Sequence, residues 1–421
     1  MIVGIIGSGG REHAICSKIK NSKKTSKIYC IPGNAGTSKI SENVNIELND
    51  FKSIKDFCKR KNIELLIVGP EQPLVDGIVD YFKNTTIKVF GPDKLASQLE
   101  GSKIFTKKIC EKYNIPTAKF KIFDNFENTK KFLCKTNYPI VIKADGLASG
   151  KGVYICKSYD ESMIAAKEIF GGKFGKAKNL LVEDFLIGEE MSYFVICDGV
   201  NYQFIGTAQD HKRVGEGDKG KNTGGMGCYS PSRLISSDLC KKINHKIVNP
   251  TLNAIKDLGS SYKGFLYVGL MIKDENPYLI EFNVRMGDPE CQTILPLLEN
   301  DLTELFVSCC DGKLANHKVK LKNKKSICIV LCSKGYPEKY KKNVLLKNLD
   351  KLALKENEYI FHAGTKIDKN EILAIGGRVM NFVSISENYK ESRNDLIKLI
   401  HQLDWSNGFF RSDIGYKVID L

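Results

Sequence analysis

The sequence predicts a multidomain α/β and α+β protein whose first unit is a doubly wound parallel sheet, and three observations carry that reading. Short apolar runs alternate with helical patterns through residues 1–100. Three of those runs close on glycine-bearing turns, Gly7-Ser8-Gly9-Gly10, Pro32-Gly33-Asn34 and Gly69-Pro70-Glu71, at the strand ends where open α/β sheets bind ligands. Downstream, apolar runs such as 262–272 and 278–283 adjoin through short polar turns, the pattern of α+β units.

The run 1–6 is the opening strand, and Ala14, Ile15 and Ile19 give residues 11–20 helical spacing. A dinucleotide fold needs a third glycine where Glu12 stands, and an acid where the strand 27–31 instead runs into Pro32-Gly33-Asn34. The loop therefore suits a single phosphate or a sugar phosphate. The strand 63–68, a helix over 73–82 and the strand 87–90 complete a domain of residues 1–100. Its candidate ligand contacts are Gly9, Gly10, Arg11, Gly33, Asn34, Ala35, Gly36, Thr37, Gly69, Pro70 and Glu71.

A second unit is expected over 101–318, with a smaller subdomain at about 117–183. Ser102 is placed to cap a helix that ends near Asn114-Ile115-Pro116-Thr117. In 138–152 two apolar runs flank Lys143-Ala144-Asp145-Gly146-Leu147-Ala148-Ser149-Gly150-Lys151-Gly152. Glycines let backbone N–H groups approach phosphate oxygens, and the flanking lysines supply charge. Because Lys151 is followed by Gly152 and then by a strand, this is no Walker loop; it reads as a phosphate cradle or a hairpin tip. A helix over 159–170 and a strand over 179–182 lead to Glu183-Asp184-Phe185-Leu186 and then Gly188-Glu189-Glu190, where Glu190 is placed to accept ribose hydroxyls.

Residues 210–227 form the longest loop, with six glycines, three of them among charges, and Asp210, Lys212 and Arg213 at its base, and it reads as a lid. In the strand 278–283, alternation sets Glu281 and Asn283 on one face and Phe282 in the core. Two such oxygen donors suit Mg²⁺ when phosphates and water complete its shell. Arg285 follows on a loop. The basic segment 316–325 reads as a linker to a third, smaller α+β unit over 319–421, with strands at 327–332, 359–361 and 379–383 and a helix over 389–403.

The formal charge of +15 is spread along all 421 residues without aromatic interleaving, which argues for solvated faces and an anionic substrate rather than nucleic acid. Fourteen cysteines lie in apolar runs with no Cys-x-x-Cys pair, as in a reduced protein. No run reaches bilayer-spanning length and no cationic leader precedes Ile6, so a cytoplasmic, monomeric protein is expected.

A lysine and glycine loop in a small lid, an acid hinge and a paired-oxygen metal site together resemble the ATP-grasp ligases. More narrowly, the chain resembles the phosphoribosylamine-glycine ligase family of purine biosynthesis, over essentially its whole length. The residues that carry the resemblance are Gly7 to His13, Pro32 to Thr37, Gly69-Pro70-Glu71, Lys143-Ala144-Asp145-Gly146, Gln209 to Arg213, Asn222 to Gly227, Glu281 to Arg285 and Phe361 to Lys366. Met286 stands where relatives carry phenylalanine and is expected to pack; a second metal carboxylate known in some ATP-grasp enzymes has its counterpart near Gly269.

The resemblance implies that ATP, glycine and 5-phosphoribosylamine give glycinamide ribonucleotide, ADP and phosphate through glycyl phosphate, with ATP as co-substrate and Mg²⁺ or Mn²⁺ as metal. It implies a central ATP-grasp fold in which Lys103, Lys143, Gly146, Ser149, Gly150, Lys151 and Gly152 meet the ATP phosphates. Glu183, Phe185 and Leu186 would border adenine, and Glu190 the ribose. Glu281 and Asn283 would hold the metal, and Arg285 would clamp the glycine carboxylate or the transferred phosphoryl. Asp210 and Lys212 would join the N-terminal loops around phosphoribosylamine and, with Arg285, act in catalysis. The alternatives are a related purine enzyme that activates bicarbonate or formate, and a basic nucleic-acid-binding protein.

Overall fold

A computed structural model of the chain describes residues 1–147, 152–175 and 179–419. Strands β1 (Ile2–Gly7), β2 (Lys27–Pro32), β3 (Glu42–Asn43), β4 (Leu65–Val68) and β5 (Lys88–Phe90) form a parallel sheet in the order β3-β2-β1-β4-β5. The apolar runs are continuous because both faces are covered. Val3 and Ile5 enter one core cluster with Ile15 and Ile19 of the helix Gly10–Lys20, whereas Ile6 joins Ile54 and Phe57 of the helix Phe51–Arg60 in another. The helix expected over 73–82 is two short ones, Glu71–Asp76 and Ile78–Tyr81. Gly77, at φ +97°, ends the first in the left-handed conformation that glycine adopts without steric cost.

Strands β6 (Phe120–Phe123), β7 (Ile140–Ala144), β8 (Val153–Cys156) and β9 (Leu180–Asp184) make an antiparallel sheet in the order β6-β9-β7-β8. Two helices, Phe126–Leu133 and Tyr159–Phe170, contribute Leu133, Ala165 and Ile169 to a core of its own with Ile140, Ile142 and Val182. Asn125 and Ser158 cap these helices by accepting the N–H groups of Asn128 and Glu161.

The rest of the chain is built on one large sheet. In chain order its region comprises β10 (Glu189–Asp198), β11 (Tyr202–Asp210), β12 (Arg213–Gly215), β13 (Lys219–Asn222), β14 (Gly227–Ser230), β15 (Lys263–Lys273) and β16 (Asn276–Asn283). There follow β17 (Lys325–Ser333), β18 (Val344–Leu345), β19 (Glu358–His362), β20 (Thr365–Asp368), β21 (Glu371–Ala374), β22 (Arg378–Ser386) and β23 (Gly408–Phe409). The order β16-β15-β10-β11-β14-β17-β22-β19, with β23 beside β17, runs without a break across residue 318. The expected linker is correspondingly fastened: Glu299 donates its N–H to the Lys320 carbonyl at 3.0 Å and Lys322 to that of Leu297 at 2.8 Å. Backbone partners of that kind lie some distance back in the chain, so composition did not reveal them.

The reading of 210–227 as a closing lid also needs correction. The segment is the hairpin β12–β13, held down from the C-terminal end of the chain. Arg411, whose side chain is 1% exposed, pairs with Asp218 at 2.8 Å and Asp413 at 2.7 Å and donates to the Arg213 carbonyl at 2.9 Å. The Gly217 N–H donates to Asp413 at 2.8 Å, and the Gly224 N–H to the Tyr336 hydroxyl at 2.9 Å.

A polar seam closes the parallel sheet onto β19. The His362 N–H donates to His13 Nδ1 at 2.8 Å, and Asn34 Nδ2 donates to the carbonyls of Ser8 and His362, each at 2.9 Å. Burial first, then the neighbouring imidazole and Lys39, hold His13 down to about 3. Burial and Lys39 hold His362 down to about 4. All cysteines except Cys134, Cys240 and Cys310 are buried, and Met286 packs in the core as expected. No helix among the described residues is long and apolar enough to cross a membrane.

Both buried histidines are neutral in the fold, so the unfolded chain binds more protons below its pKa of 6.5. Their contribution is present above that value and is lost as pH falls toward about 4. Calorimetry from about pH 7 to about pH 5 should show the thermal midpoint falling, with a shallower fall in His13→Gln, which can accept the same N–H without titrating. An identical slope in the variant would contradict the assignment. Arg411→Ala leaves Asp413 without its cation and Asp218 with Lys417 alone, 3.2 Å away, and denaturant titration should record a loss of about 3 kcal/mol; hydrogen exchange should rise across 213–222.

Candidate active site

The glycine turns of the parallel sheet are closed by a carboxylate. Glu12, on the first turn of the helix Gly10–Lys20, accepts the Gly9 N–H at 2.6 Å and is 3% exposed. A Cβ at Gly7, Gly9 or Gly69 would collide with that side chain, so these glycines give room to Glu12. Burial raises its pKa against the pull of Arg11. Here lies the physical reason for the missing dinucleotide glycine: Glu12 itself occupies the turn. Arg11 is also turned inward and donates to the Gly69 carbonyl at 3.1 Å. The Asn34 side-chain oxygen accepts the N–H groups of Gly36 and Thr37 at 2.8 and 3.0 Å. Thr37 Oγ1 donates to Asn43 Oδ1 at 2.8 Å, and Gly36 packs on the His13 ring.

Gly9, Gly33, Asn34 and Ala35 line a cavity of about 630 Å³; Gly10, Arg11, Gly36, Thr37, Gly69, Pro70 and Glu71 do not line it. The opposite wall comes from the far end of the chain and includes Asp288, Tyr336, Thr365, Lys366 and Arg378. Arg378 pairs with Asp288 at 3.3 Å, donates to the Asp288 carbonyl at 2.6 Å and also reaches the Gly224 carbonyl. Lys366 is 43% exposed, 3.8 Å from Asp368. Both cations follow glycine turns visible in the sequence, Gly364-Thr365-Lys366 and Gly376-Gly377-Arg378, but only the fold sets them opposite Asn34.

A second set of residues gathers where the small sheet meets β16. Ser102 caps the helix Lys103–Lys112, and its hydroxyl lies 3.1 Å from Asp145, which also accepts the Ile104 N–H. Lys103 Nζ donates to the Gly146 carbonyl at 2.9 Å, and burial lowers its pKa. Gly146 has φ +96°, and among the described residues a Cβ there would meet nothing within 4 Å, while the Gly152 carbonyl accepts the Ala144 N–H. Ser149, Gly150 and Lys151 lie outside the described residues. Lys143 is buried, pairs with Glu183 at 3.0 Å and reaches the Ile280 carbonyl at 3.4 Å. Glu183 was expected beyond the end of its strand; β9 continues through it and turns its side chain inward, which leaves only its backbone for a ligand. Phe185 and Leu186 follow at the hinge, with Phe185 37% exposed. Glu190 forms an ion pair with Lys212 at 2.8 Å, and Lys212 first of all holds its pKa down.

Glu281 and Asn283 share one face of β16, with Phe282 buried between them. Among the described residues neither side chain has a hydrogen-bond partner, and Gly269 is the register partner of Glu281, so β15 supplies no further carboxylate there. Asp210 Oδ1 is buried without a partner near Lys212 and Glu281. Burial, then Glu290, raises the Asp210 pKa well above the usual range. Two uncommitted oxygen donors fit a hard divalent cation that takes its remaining ligands from phosphate and water; among the described residues no group of three acidic, histidine or cysteine side chains forms a closed metal cage.

Arg285 is fixed by two acids. Its Nε donates to Glu71 at 3.2 Å and its Nη2 to Glu100 at 2.6 Å, while Glu100 also accepts the Val284 N–H at 2.8 Å. Burial would raise Glu71, but Arg285 and Arg11 carry it down to about 2. The more deeply buried Glu100 is pushed up to about 7 by burial, against Arg285. Glu71, expected to meet substrate, is therefore a partner of Arg285, and Glu100 was not singled out in the sequence because it sits in an ordinary helical stretch.

Three family models of phosphoribosylglycinamide synthetase match in order: the N domain at residues 1–100, the ATP-grasp (A) domain at 101–291 and the C domain at 326–417. A phosphoribosylamine-glycine ligase of Caldanaerobacter subterraneus is 43% identical over 420 residues, covering 99% of each chain. One from Mesorhizobium japonicum is 42% identical over 420 residues, covering 100% of this chain and 99% of its own. The crystal structure of a phosphoribosylamine-glycine ligase from Thermotoga maritima superposes with a TM-score of 0.86 at 32% identity, covering 99% of this chain and 100% of that one. The parallel sheet, the central ATP-grasp unit and the C-terminal unit thus follow the order of that architecture, and the chain belongs to the phosphoribosylglycinamide synthetase family.

Proposed function

We propose that the chain joins glycine to 5-phosphoribosylamine with ATP, giving glycinamide ribonucleotide, ADP and phosphate in purine biosynthesis. The observation that carries this reading is identity of 43% with a phosphoribosylamine-glycine ligase over the full length of both chains. A carboxylate is a poor acyl donor, so the γ-phosphoryl passes first to a glycine oxygen as ADP leaves. The amine of the sugar then attacks the carbonyl of glycyl phosphate; the C–N bond forms, the C–O bond to phosphate breaks and the amine loses a proton. The protein's work is positioning and charge neutralisation.

Lys103, Lys143 and the loop from Gly146 to Gly152, with Ser149, Gly150 and Lys151, bind the phosphates of ATP. Adenine lies against the backbone of Glu183, Phe185 and Leu186, and Glu190 meets the ribose after exchanging its bond with Lys212. Glu281 and Asn283 would hold Mg²⁺, or Mn²⁺ in its place, and such an ion would neutralise charge between the phosphates. Arg285 clamps the glycine carboxylate or the transferred phosphoryl through its Nη1, whose one bond to protein is a long one, 3.4 Å to the Met286 carbonyl. Phosphoribosylamine occupies the cavity of about 630 Å³, with Lys366 and Arg378 as cations for its phosphate, and its amine is directed toward Asp210 and Lys212, which line a separate small pocket with Glu190 and Glu281. On this reading residues 1–100 and 319–421 hold the sugar phosphate, 101–318 activates glycine, and the chain acts as a cytoplasmic monomer.

Phosphate release from ATP should require glycine and phosphoribosylamine together; release driven by bicarbonate or formate instead would overturn the proposal. Glu281→Ala should lower the ligation rate about 100-fold or more with an unchanged thermal midpoint, and a retained rate would remove Glu281 from the metal site.

A further inference from the structure

Between the small sheet and the large one lies a buried cluster with more cations than anions. Glu183 on β9, Lys143 on β7 and Lys107 on the helix Lys103–Lys112 have side chains only 5%, 6% and 3% exposed. Both ammonium groups address the same oxygen, Glu183 Oε1, Lys143 from 3.0 Å and Lys107 from 3.4 Å. Among the described residues that oxygen takes no hydrogen bond of good geometry, so the lysines hold it by charge and not by directed bonds. Lys107 is separately anchored: it donates to Thr117 Oγ1 at 2.6 Å, and that hydroxyl donates to the Leu279 carbonyl at 2.7 Å. Among the described residues Lys143 has only the long contact to the Ile280 carbonyl besides its carboxylate, and Ile280 directly precedes Glu281.

The two lysines therefore differ in freedom. Lys107 is fixed by its own hydrogen bond, whereas Lys143 can turn away from Glu183 at the cost of one ion pair. If it turned with no second lysine present, Glu183 would remain buried as an unpaired anion, a strongly unfavourable arrangement. The surplus positive charge also lowers the barrier to an anion's arrival. Burial lowers the pKa of Lys107, and Glu183 opposes that shift.

We propose that Lys107 is a positioning residue that keeps Glu183 paired, so that Lys143 can exchange this carboxylate for a nucleotide phosphate. The inference rests on the ATP reading of the site given above. The carboxylate serves as a parking place for Lys143 when no nucleotide is bound, and Lys107 makes departure inexpensive.

The test is a thermodynamic cycle on the full chain, read as the affinity for a non-hydrolysable ATP analogue with Mg²⁺ by titration calorimetry. Lys107→Met should weaken binding about tenfold or more, because Lys143 is then the sole partner of Glu183. Adding Glu183→Gln to that variant should restore most of the loss, since no buried anion is left behind. A strut that only fastens the two sheets predicts the opposite, two losses that add. Lys107→Gln keeps a hydrogen-bond donor for Thr117 without the charge; it should weaken binding as Lys107→Met does and covers the case in which the methionine variant fails to fold. Unchanged affinity in the Lys107 variants, or a double variant as weak as Lys107→Met, would overturn the proposal while the wild type still binds nucleotide. A wild type that binds no nucleotide would instead sink the ligase reading itself.

Discussion

The guanidinium of Arg285 is the tie on which the arrangement of the site depends. It leaves the end of β16 and is gripped by Glu71, which follows β4 of the parallel sheet, and by Glu100 at the end of the helix Gln98–Gly101. Two carboxylates on one arginine set the plane of its fork, and Glu100 in turn holds the backbone at Val284. The direction of the third nitrogen follows from those bonds. The same contacts join the domain that holds the glycine turns to the strand that carries Glu281 and Asn283. Removing either acid would leave Arg285 held by a single carboxylate, with nothing on the other side to set the plane of its fork.

The same economy recurs elsewhere in the site. Three cations of the site meet acids: Lys143 meets Glu183, Arg378 meets Asp288 and the partly exposed Lys212 meets Glu190, while Lys103 meets the Gly146 carbonyl. Such pairs hold lysine and arginine side chains in defined positions in the free protein, which lowers the ordering cost of any later contact. The exceptions are informative. Glu281, Asn283 and Asp210 Oδ1 have no hydrogen-bond partner among the described residues, and Asp210 and Glu281 line one small pocket with Lys212. A net formal charge of +15 matters less than this placement, because exposed lysines are screened by salt and the buried ones are not.

Several features were legible because they are local. The parallel sheet follows from apolar runs punctuated by glycine turns, and the helix over 159–170 is found at those residues with Ser158 as its cap. The alternation Glu281-Phe282-Asn283 sufficed to place two oxygens on one face and a ring in the core. Features that depend on distant partners were misread. The glycine-rich segment 210–227 looked like a free lid, and Arg411, Asp413 and Tyr336 make it a pinned hairpin. The basic segment near residue 320 looked like a linker, and its backbone bonds to Leu297 and Glu299 fasten it beside the large sheet. Gly77 was read as interior to a helix that it in fact divides, because a single glycine is compatible with either outcome until its φ is known.

By itself the sequence determined the kinds of chemistry present: a parallel sheet with small-anion turns, a loop of lysine and glycine, a pair of metal-type oxygens and an arginine beyond them. These are properties of neighbouring residues, set by side-chain period and backbone permissiveness. Tertiary structure alone decided which charges face each other. It closed the first turn with Glu12, set Lys366 and Arg378 across a cavity from Asn34, and gave Glu183 two lysines. Electrostatic interactions act through space and rise steeply as water is excluded, so their strength is fixed by separation and burial, quantities that no local pattern along the chain encodes.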